Sequence, residues 1–195
     1  MTYGFIYCLG NEAMPGIYKI GMTERAPSQR CEELSSSTSA PLPFDLLFYG
    51  EVEDPLRVER QIHSEFYLER VNDYREFFRG RAITFKAAIS EWCNSIATTE
   101  MGDYYLNKEE VLYAITQAAS DVDRVHLFAS AAKSQGIVMW CEEDRIQFNV
   151  TSLGMVPQWI LVAAAASKSI LIEHLPKSCP LTTKPRLAIV ARTEA

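Results

Sequence analysis

No two cysteines in this chain stand close enough to clasp a metal. The five, Cys8, Cys31, Cys93, Cys141 and Cys179, are scattered, and no C-x-x-C spacing supports a zinc ribbon or a thioredoxin-like motif. Isolated cysteines of this kind read as reduced, buried thiols. Histidine is scarce as well, and only His63 precedes residue 126. Long hydrophobic runs are missing: Ile160 to Ala166 falls far short of the ~20 residues a membrane-spanning helix needs, so no membrane partner is expected. Met1 to Phe5 carries neither a basic patch nor a small-residue cleavage site. It reads as the start of a strand, and a cytoplasmic location is expected. A basic excess is absent too. The net charge is −6, with 10 Lys/Arg against 15 Asp/Glu in residues 1–100 and 9 against 10 in the remainder. That balance counts against strong non-specific nucleic-acid binding, for which phosphate contacts supply most of the affinity. One local cluster departs from it: Arg70, Arg75, Arg79, Arg81 and Lys86.

What is present is a core. Hydrophobic residues make up 48% of the 195 positions and charged residues 23%, the usage of an ordinary folded protein. Gly4 to Leu9 and Ile17 to Met22 read as two strands joined through the Pro15-Gly16 turn, an antiparallel hairpin. Pro27 opens a short helix through Leu34. Phe44 to Val52 has strand composition, and Asp54 then caps a helix beginning at Pro55 and running to about Arg70. In that helix Val58, Ile62 and Phe66 share an apolar side, while His63 lies on another with Leu56, Arg60 and Tyr67. Arg75 to Phe78 returns the chain to the core, and Ile83 to Ile96 is an amphipathic helix. Thr98 to Asp103 is the expected boundary. The expected fold class is α+β: a small three-stranded sheet flanked by helices over residues 1–98, followed by a second small α/β region over 104–195. In that second region the spacing predicts helices over 108–119, 122–134 and 157–166, a hairpin over 137–150 and a last strand over 187–191. Two helices followed by a hairpin is also the order of a winged helix.

Hydrolysing a phosphodiester needs an activated water, cations to offset charge on the phosphorus oxygens, and an acid or metal near the leaving oxygen. A hairpin sets Tyr7 and Lys19 on neighbouring strands, where both can face one groove. Arg30, near a helix start, adds a fork-shaped donor. Glu76 is a hard oxygen ligand suited to one magnesium ion, and His63 can move a proton near neutral pH. Each residue also has a purely structural reading. Tyr7 can be a packed strand tyrosine, Lys19 a solvated edge charge, Arg30 a surface partner of Glu33, His63 a satisfied helix histidine, and Glu76 an ion-pair partner of Arg75 or Arg79.

The order of these residues resembles the GIY-YIG nuclease superfamily. Phe5-Ile6-Tyr7 stands at the first tripeptide and Lys19-Ile20-Gly21 at the second. Arg30 follows nine residues later and Glu76 stands at the metal-binding glutamate. Lys-Ile-Gly-Met-Thr and the Glu59/His63 helix are similar to the phage-associated branch that writes KIG for YIG. The resemblance covers residues ~3–85. It implies a metal-dependent DNA endonuclease with Tyr7, Lys19, Arg30 and His63 as catalytic groups and Glu76 holding one Mg2+ or Mn2+ ion. Three departures stand out: Lys19 replaces the second tyrosine, with Tyr18 on the opposite strand face; Leu34 stands where some members place a histidine; and only Asn94 is available as the later asparagine, at loose spacing. The rival expectation is a non-catalytic binding or regulatory module that engages DNA or a host protein. Residues after 100, apolar at Trp159 to Val162 and nearly neutral, are expected to serve as an interface for a homodimer or a protein partner, with target recognition as the alternative role.

Overall fold

The computed structural model describes residues 2–36, 42–150, 156–181 and 189–190, the last two by backbone alone. The chain divides into two compact units, 1–109 and 110–195.

In the first unit, β1 (Tyr3–Gly10) and β2 (Ile17–Thr23) form the expected hairpin, followed by α1 (Pro27–Ser35), β3 (Asp45–Glu53) and α2 (Pro55–Glu65). Then come β4 (Phe77–Arg79), α3 (Ala82–Ser90), β5 (Ile96–Thr98) and the start of α4 (Glu100–Gln117). The α+β class holds. The three long strands are the centre of a wider antiparallel sheet of order β4-β2-β1-β3-β5, because two three-residue strands add to its edges. Both were too short to carry a period-2 signal in the sequence. β5 begins at Ile96, the residue expected to end a helix, and α3 stops earlier, at Ser90.

β1 is central and covered on both faces, which is why Ile6 to Gly10 is a continuous buried run instead of an alternating one. On one face Ile6, Cys8, Tyr18, Ile20, Phe48 and Phe78 pack under α2, α3 and the first turns of α4. On the other, Tyr7, Leu9, Cys31 and Phe44 make a smaller cluster under α1. Asp54, at φ 50°, caps α2 by accepting from Arg57 N, and Pro55 takes the first helical position, both as the sequence requires. Val58, Ile62 and Phe66 are the buried side of that segment, although α2 itself ends at Glu65.

The expected break at Thr98–Asp103 is instead the join of β5 to α4. Thr99 Oγ1 accepts from Gly102 N at 3.0 Å, so α4 begins at Glu100 and not beyond Asn107. Tyr105 and Lys108 are buried in the first unit, which carries its limit to Glu109. The second unit holds the remainder of α4, α5 (Asp121–Ser134), β6 (Met139–Glu142), β7 (Arg145–Phe148), α6 (Gln158–Ala166), α7 (Lys168–His174) and β8 (Ile189–Val190). β6 and β7 form the hairpin expected around Glu142-Glu143-Asp144, with Glu143 and Asp144 at φ 52° and 57°. Of the strand expected over 187–191, Ile189–Val190 pairs with β7, and the rest lies outside the described residues, as do positions 37–41 of the serine run and its flank. Among the described residues no helix is long and apolar enough to cross a membrane.

Candidate active site

Strand register decides which side chains meet. Tyr7 pairs with Gly21 and Leu9 with Lys19 across β1 and β2, and Lys19 pairs with Phe77 on β4. Directly opposed residues share a sheet face, so Tyr7, Lys19 and Phe77 all lie on the side that α1 covers. Tyr18 points the other way, into the larger core, and donates to the Glu109 carboxylate.

Lys19 is not an edge charge, because β4 flanks its strand. Its side chain is 10% exposed, its ammonium lies 5.6 Å from the Phe77 ring centroid, and it is ion-paired with Glu76. Glu76 immediately precedes β4, accepts from the Lys19 ammonium, and has a side chain 42% exposed. Burial pushes its carboxyl up, but the hydrogen bond and charge of Lys19 outweigh that, and the net position is below the ordinary range. The carboxylate is therefore ionised at neutral pH.

Arg30, the fourth residue of α1, interacts electrostatically with the Tyr7 hydroxyl and donates to Glu33 at 3.2 Å. Burial pushes the Tyr7 phenol up, and the interaction with Arg30 only partly offsets it. Tyr7 is thus a neutral phenol near pH 7, held by a cation. It is suited to orienting or relaying a proton, not to standing as a free phenolate.

Two further groups sit at the edge of β2. β4 pairs with β2 only as far as Lys19, and Ile20 N is met by Glu76 O at 3.2 Å. Beyond that point the strand's outward groups are taken by side chains of α2: Ile20 O by His63 Nε2 at 2.9 Å, and Met22 N by Glu59 Oε1 at 2.9 Å. A carbonyl partner makes Nε2 the protonated nitrogen of His63 and leaves Nδ1 as its acceptor. The His63 ring rests on Phe78, 4.9 Å between centroids, at the sheet edge and not over the Tyr7 face. Burial holds its pKa below the usual histidine value, against the hydrogen bond to Ile20. Burial, then the charge of Glu76, raises the Glu59 carboxyl. Glu59 is absent from the site read off the sequence. Its signal there is the one-turn spacing to His63, which puts both on one side of α2.

Lys19, Glu76 and Phe77 line an open pocket of about 270 Å³ together with Leu34, Phe44, Tyr74 and Arg75. Asn94 lines a separate hollow with Trp92 and Arg57. Four of the five sequence-predicted residues thus form two adjoining pairs, Lys19–Glu76 and Tyr7–Arg30, and His63 joins them from the strand edge through its electrostatic coupling to Glu76. The donors suit one hard, hydrated cation: a single ionised, half-exposed carboxylate beside an open pocket, with Glu59 adding negative charge nearby. Among the described residues no group of three or more His, Cys, Asp or Glu could hold a metal on protein ligands alone.

Residues 4–95 match the family model of the T5orf172 domain, a phage-associated domain related to nuclease-like folds. The match takes in the first four strands and α1 to α3, and so every residue of the pocket. No curated protein and no solved structure matches the chain.

Proposed function

From a T5orf172-like domain built around this pocket, we propose that the chain is a metal-dependent endonuclease of the GIY-YIG type, acting on DNA phosphodiester bonds. The observation that carries this reading is the convergence of two cations, one phenol and one ionised carboxylate, from β1, β2, α1 and the residue before β4, on the face that bears the pocket. Lys19 lines the pocket with its ammonium paired to Glu76, and it offsets phosphate charge there once a metal or phosphate draws Glu76 from that pair. Arg30 supplies the second offset for developing negative charge and fixes the hydroxyl of Tyr7. Tyr7 orients the attacking water and passes its proton to a second group, because burial opposes a standing phenolate. His63, with Nε2 committed to Ile20, takes part in proton movement only through Nδ1. Glu76 would hold the single Mg2+ or Mn2+ ion, which supplies Lewis-acid stabilisation of phosphate charge when bound.

The second reading is a binding module without catalysis. The Lys19–Glu76 pair favours it, since each charge in that pair neutralises the other. A plasmid-nicking assay with and without Mg2+, on wild type and Glu76→Ala, separates the two: metal-dependent nicking lost in the variant supports the nuclease, and retarded but uncut plasmid supports the module.

A further inference from the structure

Between α2 and β4 the chain doubles back as a braced hairpin. Arg79 N donates to Glu69 O at 2.7 Å and Val71 N to Phe77 O at 2.8 Å, with an antiparallel bridge between Arg70 and Phe78. The tip is tied internally as well. Asn72 Oδ1 accepts from Tyr74 N at 3.1 Å, and Arg70 Nε donates to Arg75 O at 3.0 Å. The Arg70 guanidinium lies 5.5 Å from the Phe78 ring centroid, which anchors the tip to the core. At the end of this brace stands Tyr74, 98% exposed. Stability is not served by an aromatic ring so placed, since it buries nothing. Tyr74 and Arg75 nevertheless line the same pocket as Lys19 and Glu76.

We infer that Tyr74 is a stacking platform for an unpaired nucleobase of DNA whose phosphate occupies the neighbouring pocket, with Arg75 as a backbone contact. This rests on the DNA reading above. An exposed ring on a preorganised tip meets a base at low entropic cost, and stacking is indifferent to base identity. Arg75, next to the ring, is cationic and lines the same pocket, which suits a phosphate backbone. A ring can reach the face of a base only where the base is unpaired, so single strands, bubbles and frayed ends are the preferred substrates.

The test uses the full chain in EDTA, where nothing is cut, with a fluorescein-labelled 20-nucleotide single strand and the same sequence as a blunt duplex. Wild type binds the single strand more tightly by anisotropy. Tyr74→Ala weakens that binding roughly 5- to 100-fold, Tyr74→Phe retains it, and duplex binding changes little. Arg75→Ala lowers the salt dependence of binding by roughly one phosphate contact. An unchanged melting temperature for Tyr74→Ala is expected, since the ring is solvated. The inference is overturned if Tyr74→Ala binds the single strand as wild type does, if both substrates lose affinity equally, or if wild type binds neither. Nicking in Mg2+ is scored separately. Tyr74-dependent binding without any cleavage ends the nuclease reading and leaves this one standing, while cleavage with Tyr74-independent binding does the reverse.

Discussion

Gly21 lies directly beneath the Tyr7 hydroxyl: a Cβ at position 21 would come 2.6 Å from Tyr7 Oη and 2.9 Å from Cζ. The glycine of the Lys-Ile-Gly tripeptide is therefore a spatial requirement of the first tripeptide's tyrosine. Tyr7 is 2% exposed and cannot swing away freely. Gly21→Ala is expected to lower stability by about 1–3 kcal/mol through overpacking, and to lower cleavage with it. Combining it with Tyr7→Phe removes the clashing oxygen, so the double variant should melt above Gly21→Ala alone. Thermal melts of the three proteins decide this, and a Gly21→Ala variant as stable as wild type would contradict the packing described.

Tyr7→Phe keeps the ring and removes only the hydroxyl. If the hydroxyl handles a proton, the cleavage rate falls by roughly 10²-fold or more, in the range that loss of an acid–base group costs. The melting temperature should scarcely move, because Arg30 is accessible enough to be solvated once its partner is gone. Unchanged turnover would assign Tyr7 to packing alone.

Glu76→Ala is expected to abolish Mg2+-dependent cleavage. Its carboxyl lies below the ordinary range in the folded chain, so its contribution to stability is present above the unfolded value of about 4.3 and is lost as pH falls through the folded value. The melting-temperature gap between wild type and the variant should be open at pH 7 and close on acidification. A gap that widens toward low pH would reverse the assigned sign.

Glu59→Gln keeps an oxygen to accept from Met22 N while removing a carboxyl that burial, and then Glu76, raise above its usual value. A raised carboxyl contributes stability below its unfolded pKa, and that contribution disappears as pH rises through the folded value. The variant should therefore melt above wild type at pH 7 to 8, with the difference closing at pH values below about 4. A variant that is less stable at pH 8 would show that the Glu59 charge is compensated by groups other than those named.

A fragment of residues 1–109 should fold and sediment as a monomer, whereas one ending at residue 100 should melt earlier. The shorter piece lacks Tyr105, Lys108 and Glu109, and with them the bonds to Asp45, Glu12 and Tyr18. If residues beyond 109 carry the homodimer or protein interface proposed for them, only the full chain gains mass with concentration. Equal monomers, with DNA binding lost on truncation, would assign that region to target recognition instead.

Much of this arrangement is legible in the amino-acid sequence. The Pro15-Gly16 turn fixes the hairpin, and Asp54-Pro55 fixes the start of α2, because both are local chemistry. Period-2 alternation was enough to send Tyr18 away from Tyr7. Burial at Lys19 was not legible, since it depends on β4, whose three residues pair with β2 from nearly sixty positions away. Glu59 is legible only as the helix neighbour of His63, one turn away; its partner, the backbone amide Met22 N, is displayed by no sequence pattern. The helix expected from residue 108 starts at Glu100 instead, because Asn107 has a cap-type side chain whereas the oxygen that caps the helix belongs to Thr99.

The edge of β2 beyond Lys19 has one more consequence. A strand whose outward amides and carbonyls stay free is a template on which another polypeptide can lay itself down. Glu59 and His63 occupy those groups at Met22 and Ile20, and one of the two brings a buried carboxylate that an incoming strand would have to strip of its partner. The helix that carries both side chains thereby closes the sheet to self-association along that side.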